Sequence, residues 1–190
     1  MASAPLHANR LTLVAVAAVF VLPLALAWWF AIASPESAPH ARLNHGTLLT
    51  PPLALASDAA FAPLAELRLA PSEWALVYYQ AAGCDDSCRA TLRVLEAIRE
   101  VSGQAATRVH IAGVVDIDAA EVRPPPRLIV DAGTRAALAR EVGARSGQAL
   151  PAAIILLDWR QQVVLAFAPS APPADIKADL KRLLRASAIR

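Results

Sequence analysis

Apolar residues are distributed along this chain in three distinct patterns. Leu11 to Ala33 is a continuous run, LTLVAVAAVFVLPLALAWWFAIA, without a charged residue. Its length matches the roughly 20 residues a helix needs to cross a bilayer core of about 30 Å. Pro23 lies inside the run, where membrane helices tolerate it, and Trp28 and Trp29 stand near its far end as interfacial anchors would. Shorter apolar blocks follow. Glu73–Gln80, Arg108–Asp116, Ala152–Trp159 and Gln162–Phe167 are rich in β-branched and aromatic residues and predict strands. Three further segments read as helices, the first and last with apolar positions repeating at helical period. In Arg89–Val101, Leu92, Leu95 and Ile98 share one face, and Arg89, Arg93, Glu96 and Glu100 the other. Asp131–Val142 reads as a second helix. After Pro172-Pro173 a last helix buries Ile176, Leu180, Leu183 and Leu184 and presents Lys177, Lys181 and Arg185.

The division that follows is a cytoplasmic tail over 1–10, a transmembrane helix over 11–33, a linker over 34–44 and an exported domain over 45–190. A cleaved signal peptide is the competing reading of the start, because Ala31-Ile32-Ala33 resembles a cleavage site. The run exceeds the usual h-region of about 7–15 residues, which favours an uncleaved anchor. Arg10 supplies a weak positive-inside signal. Leu43 to Ala70, with Pro51, Pro52 and Pro63, reads as an irregular lead-in. Pro124-Pro125-Pro126 excludes regular structure locally.

Charge adds little. All 16 acidic residues and 17 of the 18 basic ones follow the apolar run, leaving the exported part near neutrality. The basic residues are dispersed, so no nucleic-acid partner is expected.

The two cysteines change the picture. Cys84 and Cys88 lie in Gly83-Cys84-Asp85-Asp86-Ser87-Cys88, between a predicted strand and a predicted helix. Free N–H groups and positive potential at a helix start favour a thiolate, while Asp85 and Asp86 oppose it by repulsion. Ser87 or Asp85 is a candidate N-cap. Residues at i and i+4 can meet the Cα separation of about 4.4–6.8 Å that a disulfide needs. A bridge closing so short a loop stabilises little, which favours a working pair over a structural staple. Cys84, at the exposed end of the turn, is then the attacking thiolate and Cys88 the resolving one. Two thiolates also suit Cu(I). His45 and His110 are the candidates for a third ligand, His40 falling in the linker; packing roles compete for both. Tyr78, Tyr79 and Trp74 read as strand packing, and Asp116 and Asp118 as a strand end.

The order strand, cysteine turn, helix, strand, helix, hairpin, helix is the thioredoxin plan, an α/β fold with a central mixed sheet and flanking helices. Leu150-Pro151 precedes the hairpin, where thioredoxin-like folds place a cis-proline facing the cysteines. The resemblance thereby makes Pro151 a substrate-facing residue. A CxxxC pair on a membrane-tethered domain of this kind resembles the Sco/SenC copper proteins of cytochrome c oxidase assembly. More closely, the chain resembles small proteobacterial membrane proteins related to Sco. The shared pieces are Asn44-His45-Gly46-Thr47-Leu48-Leu49-Thr50-Pro51, the strand Trp74 to Tyr79, the cysteine run and the ending Asp179-Leu180-Lys181-Arg182-Leu183-Leu184. The copper-binding histidine of Sco proteins aligns here with Leu150, and Arg89 replaces the proline that usually follows the second cysteine.

The resemblance implies a single-pass protein of the bacterial inner membrane, held in lipid by residues 11–33, with a periplasmic domain. That domain would handle thiols or Cu(I) for a periplasmic or membrane client such as an oxidase subunit or an apocytochrome. No cofactor is required, and Cu(I) is the candidate cargo. A general thiol–disulfide oxidoreductase of the cytochrome c maturation type is the alternative enzyme reading. A non-enzymatic membrane subunit retaining the fold is the third.

Overall fold

The computed structural model describes residues 6–33, 44–116 and 127–187; in the first segment it describes side chains at 15–26, 28 and 29. The linker before residue 44, the triple proline and Asp118 lie outside the described residues. The chain divides into two units at residues 43 and 44. The first contains α1 (Leu6–Ala33), an apolar helix with Pro23 inside it. Among the described residues no helix is long and apolar enough to cross a membrane.

The second unit is a six-stranded mixed sheet with helices on both faces, the α/β plan expected. Its strands are β1 (Thr47–Ala54), β2 (Trp74–Gly83), β3 (Val109–Asp116), β4 (Arg127–Ile129), β5 (Ala152–Asp158) and β6 (Gln162–Phe167), in the order β1-β6-β5-β2-β3-β4. β2, β3 and β4 run parallel. β5 is antiparallel to β2 and β6, and β6 to β1. The central strand β2 is buried from Trp74 to Tyr79, as a strand covered on both faces must be. Trp74, Leu76 and Tyr78 join Leu92 and Leu95 of α3 (Asp86–Glu100) and Ile176 and Leu180 of α5 (Pro173–Ser187) in one core. The intervening Ala75, Val77 and Tyr79 face Leu138 and Val142 of α4 (Ala132–Ser146) in the other. Both cores are built entirely from residues of the second unit.

Two strands depart from the sequence expectation. The lead-in does not stay irregular: β1 pairs with β6 and buries Leu49 and Leu53, although Pro51 and Pro52 lie within it. Proline is tolerated because β1 is an edge strand, and its register is interrupted between Leu48 and Leu53, where the prolines fall. Short 3₁₀ turns and α2 (Ala62–Ala65) then carry the chain to β2, burying Phe61 and Leu64. β4 is the second addition, too short for its composition to declare.

The topology defines two ends of the sheet. β2 and β3 finish at the cysteine end, and β5 and β1 begin there. Asp175 and Asp179 of α5 bind His45, just ahead of β1, while Ser187 bonds the Trp74 indole at the start of β2. α5 therefore runs parallel to α3, both descending from the cysteine end.

Candidate functional site

Gly83 ends β2, Cys84 follows it, and α3 begins at Asp86, so the expected strand-to-helix turn is formed. The Cys84 N–H donates to the Asp116 carbonyl at the end of β3 at 3.2 Å, which ties the turn to the parallel neighbour. Asp85 is the N-cap of α3. Its carboxylate accepts from the Cys88 N–H at 2.9 Å and from the Ser87 hydroxyl at 2.7 Å. These bonds, that of the Cys88 N–H foremost, hold the Asp85 carboxyl below the usual Asp value. Asp86, one residue on, pairs with Arg89 at 2.7 Å. Between the two sequence candidates for the cap, Asp85 takes the position because Ser87 already lies inside the helix.

Cys84 and Cys88 are joined by a disulfide, with Cα atoms 5.3 Å apart. Cys84 is half-buried and Cys88 fully buried. An incoming sulfur therefore meets Cys84 first. One free N–H of the first turn, that of Cys88, is taken by the Asp85 carboxylate, so this helix start carries a fixed negative charge among its dipolar N–H groups.

Behind the turn lie residues that the sequence assigned to packing alone. The Tyr78 hydroxyl donates to Gln80 Oε1 at 2.6 Å, and Gln80 Nε2 donates to the Gly83 carbonyl at 2.9 Å. Burial first, and the charge of Asp85 second, push the Tyr78 phenol up to about 12. The Tyr79 hydroxyl, on the opposite face, donates to the Leu150 carbonyl at 3.0 Å, and burial raises its phenol further. Gln80 has no sequence signal beyond standing at a strand end. The two tyrosines are ordinary core residues by pattern, and only their hydroxyl partners connect them to the turn.

Pro151 comes to this same end. The Ala81 N–H donates to the Pro151 carbonyl at 2.8 Å, next to the Gln80–Ala152 register pair. Pro151 is exposed, and its peptide bond with Leu150 is trans; Thr50–Pro51 is the cis bond among the described residues. The sequence leaves that isomer open, and the proline stands beside the cysteine turn.

The histidines are placed apart from the sulfurs. His110 lies near the start of β3, paired with Ala75, and its Nε2 is 3.0 Å from Glu73 Oε2. That is the end of the sheet opposite the cysteines. His45 is at the cysteine end, but its strand β1 is three positions along the sheet from β2, about 14 Å at ordinary strand spacing. Its Nδ1 is 3.0 Å from Asp179 Oδ1 and its Nε2 3.7 Å from Asp175. Among the described residues no group of three or more His, Cys, Asp or Glu side chains is placed to hold a metal ion. The donor set at the turn is two sulfurs, which fit Cu(I) only when the disulfide is reduced.

Residues 74–187 match the family described as "Transmembrane-like, thioredoxin-like, C-terminal domain". No curated protein matches the chain. Among solved structures it is similar to apo Sco1 from Thermus thermophilus, with 18% identity over 63% of this chain and 83% of that one and a TM-score of 0.37. It is similar to copper-bound ScoI from Bradyrhizobium japonicum, with 19% identity over 58% of this chain and 85% of that one and a TM-score of 0.36. The apo form of Trgpx shares 12% identity over 60% of this chain and 82% of that one, with a TM-score of 0.44.

Proposed function

We propose a function from one premise: the chain belongs to the transmembrane-like, thioredoxin-like C-terminal domain family. The protein is a single-pass inner-membrane protein whose periplasmic domain exchanges electrons between the Cys84–Cys88 pair and cysteines of a client, and holds Cu(I) as cargo when the pair is reduced. The observation that carries this reading is the unequal exposure of two bonded sulfurs at one helix start, Cys84 half-buried and Cys88 fully buried. The anchor rests on the charge-free run over 11–33, which lies within the helix Leu6–Ala33, and on the family description.

In the reductive direction the Cys84 thiolate attacks a client disulfide, forming a mixed disulfide and releasing one client thiolate. The Cys88 thiolate then attacks Cys84 Sγ and expels the second. Two electrons pass to the client, and the two protons of the protein's thiols balance the client's. The reverse sequence oxidises a client dithiol. Chemistry at the buried Cys88 requires that Cys84 react first, since only Cys84 is reachable from solvent. In the dithiol state the two sulfurs supply a two-coordinate site suited to Cu(I) and lacking an imidazole for Cu(II). Cysteines of an oxidase copper site are the client chemistry that joins both activities. A general oxidoreductase acting on apocytochrome thiols is the same exchange without the metal.

The test uses the full chain in detergent under anaerobic conditions. Its dithiol–disulfide equilibrium is measured in thiol redox buffers, and the reduced form is titrated with Cu(I) against a chromogenic chelator. The reading expects reversible two-electron cycling and one tightly bound Cu(I) per dithiol, both abolished in Cys84→Ser. Cycling without Cu(I) binding selects the general oxidoreductase. Neither behaviour refutes the function and leaves a subunit that keeps only the fold. Intact mass of the membrane-extracted protein tests the anchor, and a species lacking about 33 residues, as signal cleavage would leave, refutes it.

A further inference from the structure

Away from the cysteine turn, a groove of about 510 Å³ opens between α5 and the 3₁₀ turn Gly103–Arg108 that follows α3. Val101, at the end of α3, is 60% exposed and lines it together with Ala105 and Leu184. Lys177, Lys181 and Arg185 form its rim at i, i+4 and i+8 on α5. All three are exposed, and none makes an ion pair or hydrogen bond with a described residue. Arg108 adds a fourth positive charge at the closed end. It is fixed there by donating to the Ser72 carbonyl at 2.7 Å, the Leu184 carbonyl at 3.2 Å and the Ser187 hydroxyl at 2.8 Å.

An exposed valine beside a row of unpartnered cations is an unusual way to finish a surface. Arg99, Arg145 and Arg182 find acids on their own helices, Glu96, Glu141 and Asp179, while Arg68 and Arg93 stand singly without an ion pair to a described residue; only on α5 do three such cations line up. The row extends about 12 Å along the helix, two turns. That is the footprint of one face of a helix laid alongside α5, with acidic residues against the rim and apolar ones against Val101. We propose that the groove between α5 and the turn after α3 is a docking surface for an acidic, amphipathic helical segment of a protein partner. Charge complementarity sets the orientation and speeds the encounter, and the small apolar floor supplies the desolvated centre. The surface is separate from the sulfur chemistry and stands whether or not the pair cycles.

The experiment uses the full chain in phosphatidylcholine nanodiscs. The probe is a fluorescein-labelled helical peptide of about 16 residues, long enough to cover the row. It carries Glu at i, i+4 and i+8 beside a leucine stripe. A second peptide has Lys in place of Glu. Anisotropy is expected to show saturable binding of the Glu peptide and none of the Lys peptide. Affinity should fall about tenfold in the K181E/R185E variant, and fall again as salt rises and screens the contacts. Arg93→Glu, a charge reversal elsewhere on α3, is expected to leave binding unchanged. Equal binding of the two peptides overturns the proposal, as does no binding of the Glu peptide or an equal loss in Arg93→Glu. Loss of Glu-peptide binding in nanodiscs containing phosphatidylglycerol overturns it in favour of an anionic lipid as the occupant.

Discussion

Replacing Asp179 by Ala should unlock the start of the domain. The Asp179 side chain is 1% exposed, and four donors converge on it. The His45 N–H donates at 2.6 Å and the Gly46 N–H at 3.0 Å to Oδ2, while His45 Nδ1 at 3.0 Å and Arg182 Nη1 at 3.2 Å reach Oδ1. Burial pushes the carboxyl up, but the bonds from Gly46, His45 and Arg182 outweigh it and hold the group below the ordinary Asp value. In the Ala variant the His45 and Arg182 side chains, both partly exposed, rehydrate. The two backbone N–H groups lose their acceptor, and that of Gly46 is buried. A bond to a charged acceptor is worth about 1.5–3 kcal/mol. Relief of the carboxylate's own desolvation offsets part of the loss, so the net cost is about 3 kcal/mol. For a domain of this size that lowers Tm by about 6–12 °C. Calorimetry on a fragment covering 34–190 measures it, and a loss under about 1 kcal/mol would refute the reasoning, since that is a single neutral bond. Asp179→Asn should cost less and also change the pH profile. The folded carboxyl titrates below the unfolded one, so its contribution is complete above about pH 5 and is lost as pH falls through the folded value. The Asn variant should lack that acid slope.

Gly46→Ala should destabilise by about 1–3 kcal/mol, because an added Cβ would lie 2.7 Å from Cζ of the buried Phe167 ring; urea unfolding reads the change, and a neutral result contradicts the packing. Tyr78 and Tyr79 are the only tyrosines, and both phenols are raised, Tyr78 to about 12. Phenolate absorbance of the folded protein should stay flat past pH 10, where a free tyrosine is half ionised. The unfolded chain loses those protons first, so stability should fall as pH rises beyond about 10. Cys88→Ser should leave Cys84 able to form a mixed disulfide with a small-molecule disulfide but unable to resolve it, and mass spectrometry would show the adduct persisting.

The central strands, α3, α5 and the cysteine turn were legible because each depends on residues close in sequence. Strand burial shows as a short apolar run, helix amphipathicity as a 3.6-residue period, and the cap as an Asp three residues before the N–H it receives. β1 was hidden because Pro51 and Pro52 contradict a strand locally, and only its position at a sheet edge makes them acceptable. The same limit applied to the histidines. As a lone side chain in a lead-in, His45 was open to several roles. Asp179, 134 residues away, assigns it one. Two stretches singled out for family resemblance, Asn44 to Pro51 and Asp179 to Leu184, turn out to meet in one hydrogen-bonded cluster.

By itself the sequence determined the four longer apolar strands after the lead-in, the three flanking helices, and that the two cysteines sit where a strand meets a helix. The tertiary structure decided which sulfur is reachable, which donor Asp85 occupies, that Pro151 stands beside the turn, and that His45 and His110 lie apart from the cysteines, each beside its own carboxylates. The physical reason is range. Periodicity and capping act over a few residues, whereas burial, sheet order and convergence of side chains depend on partners far apart in the chain.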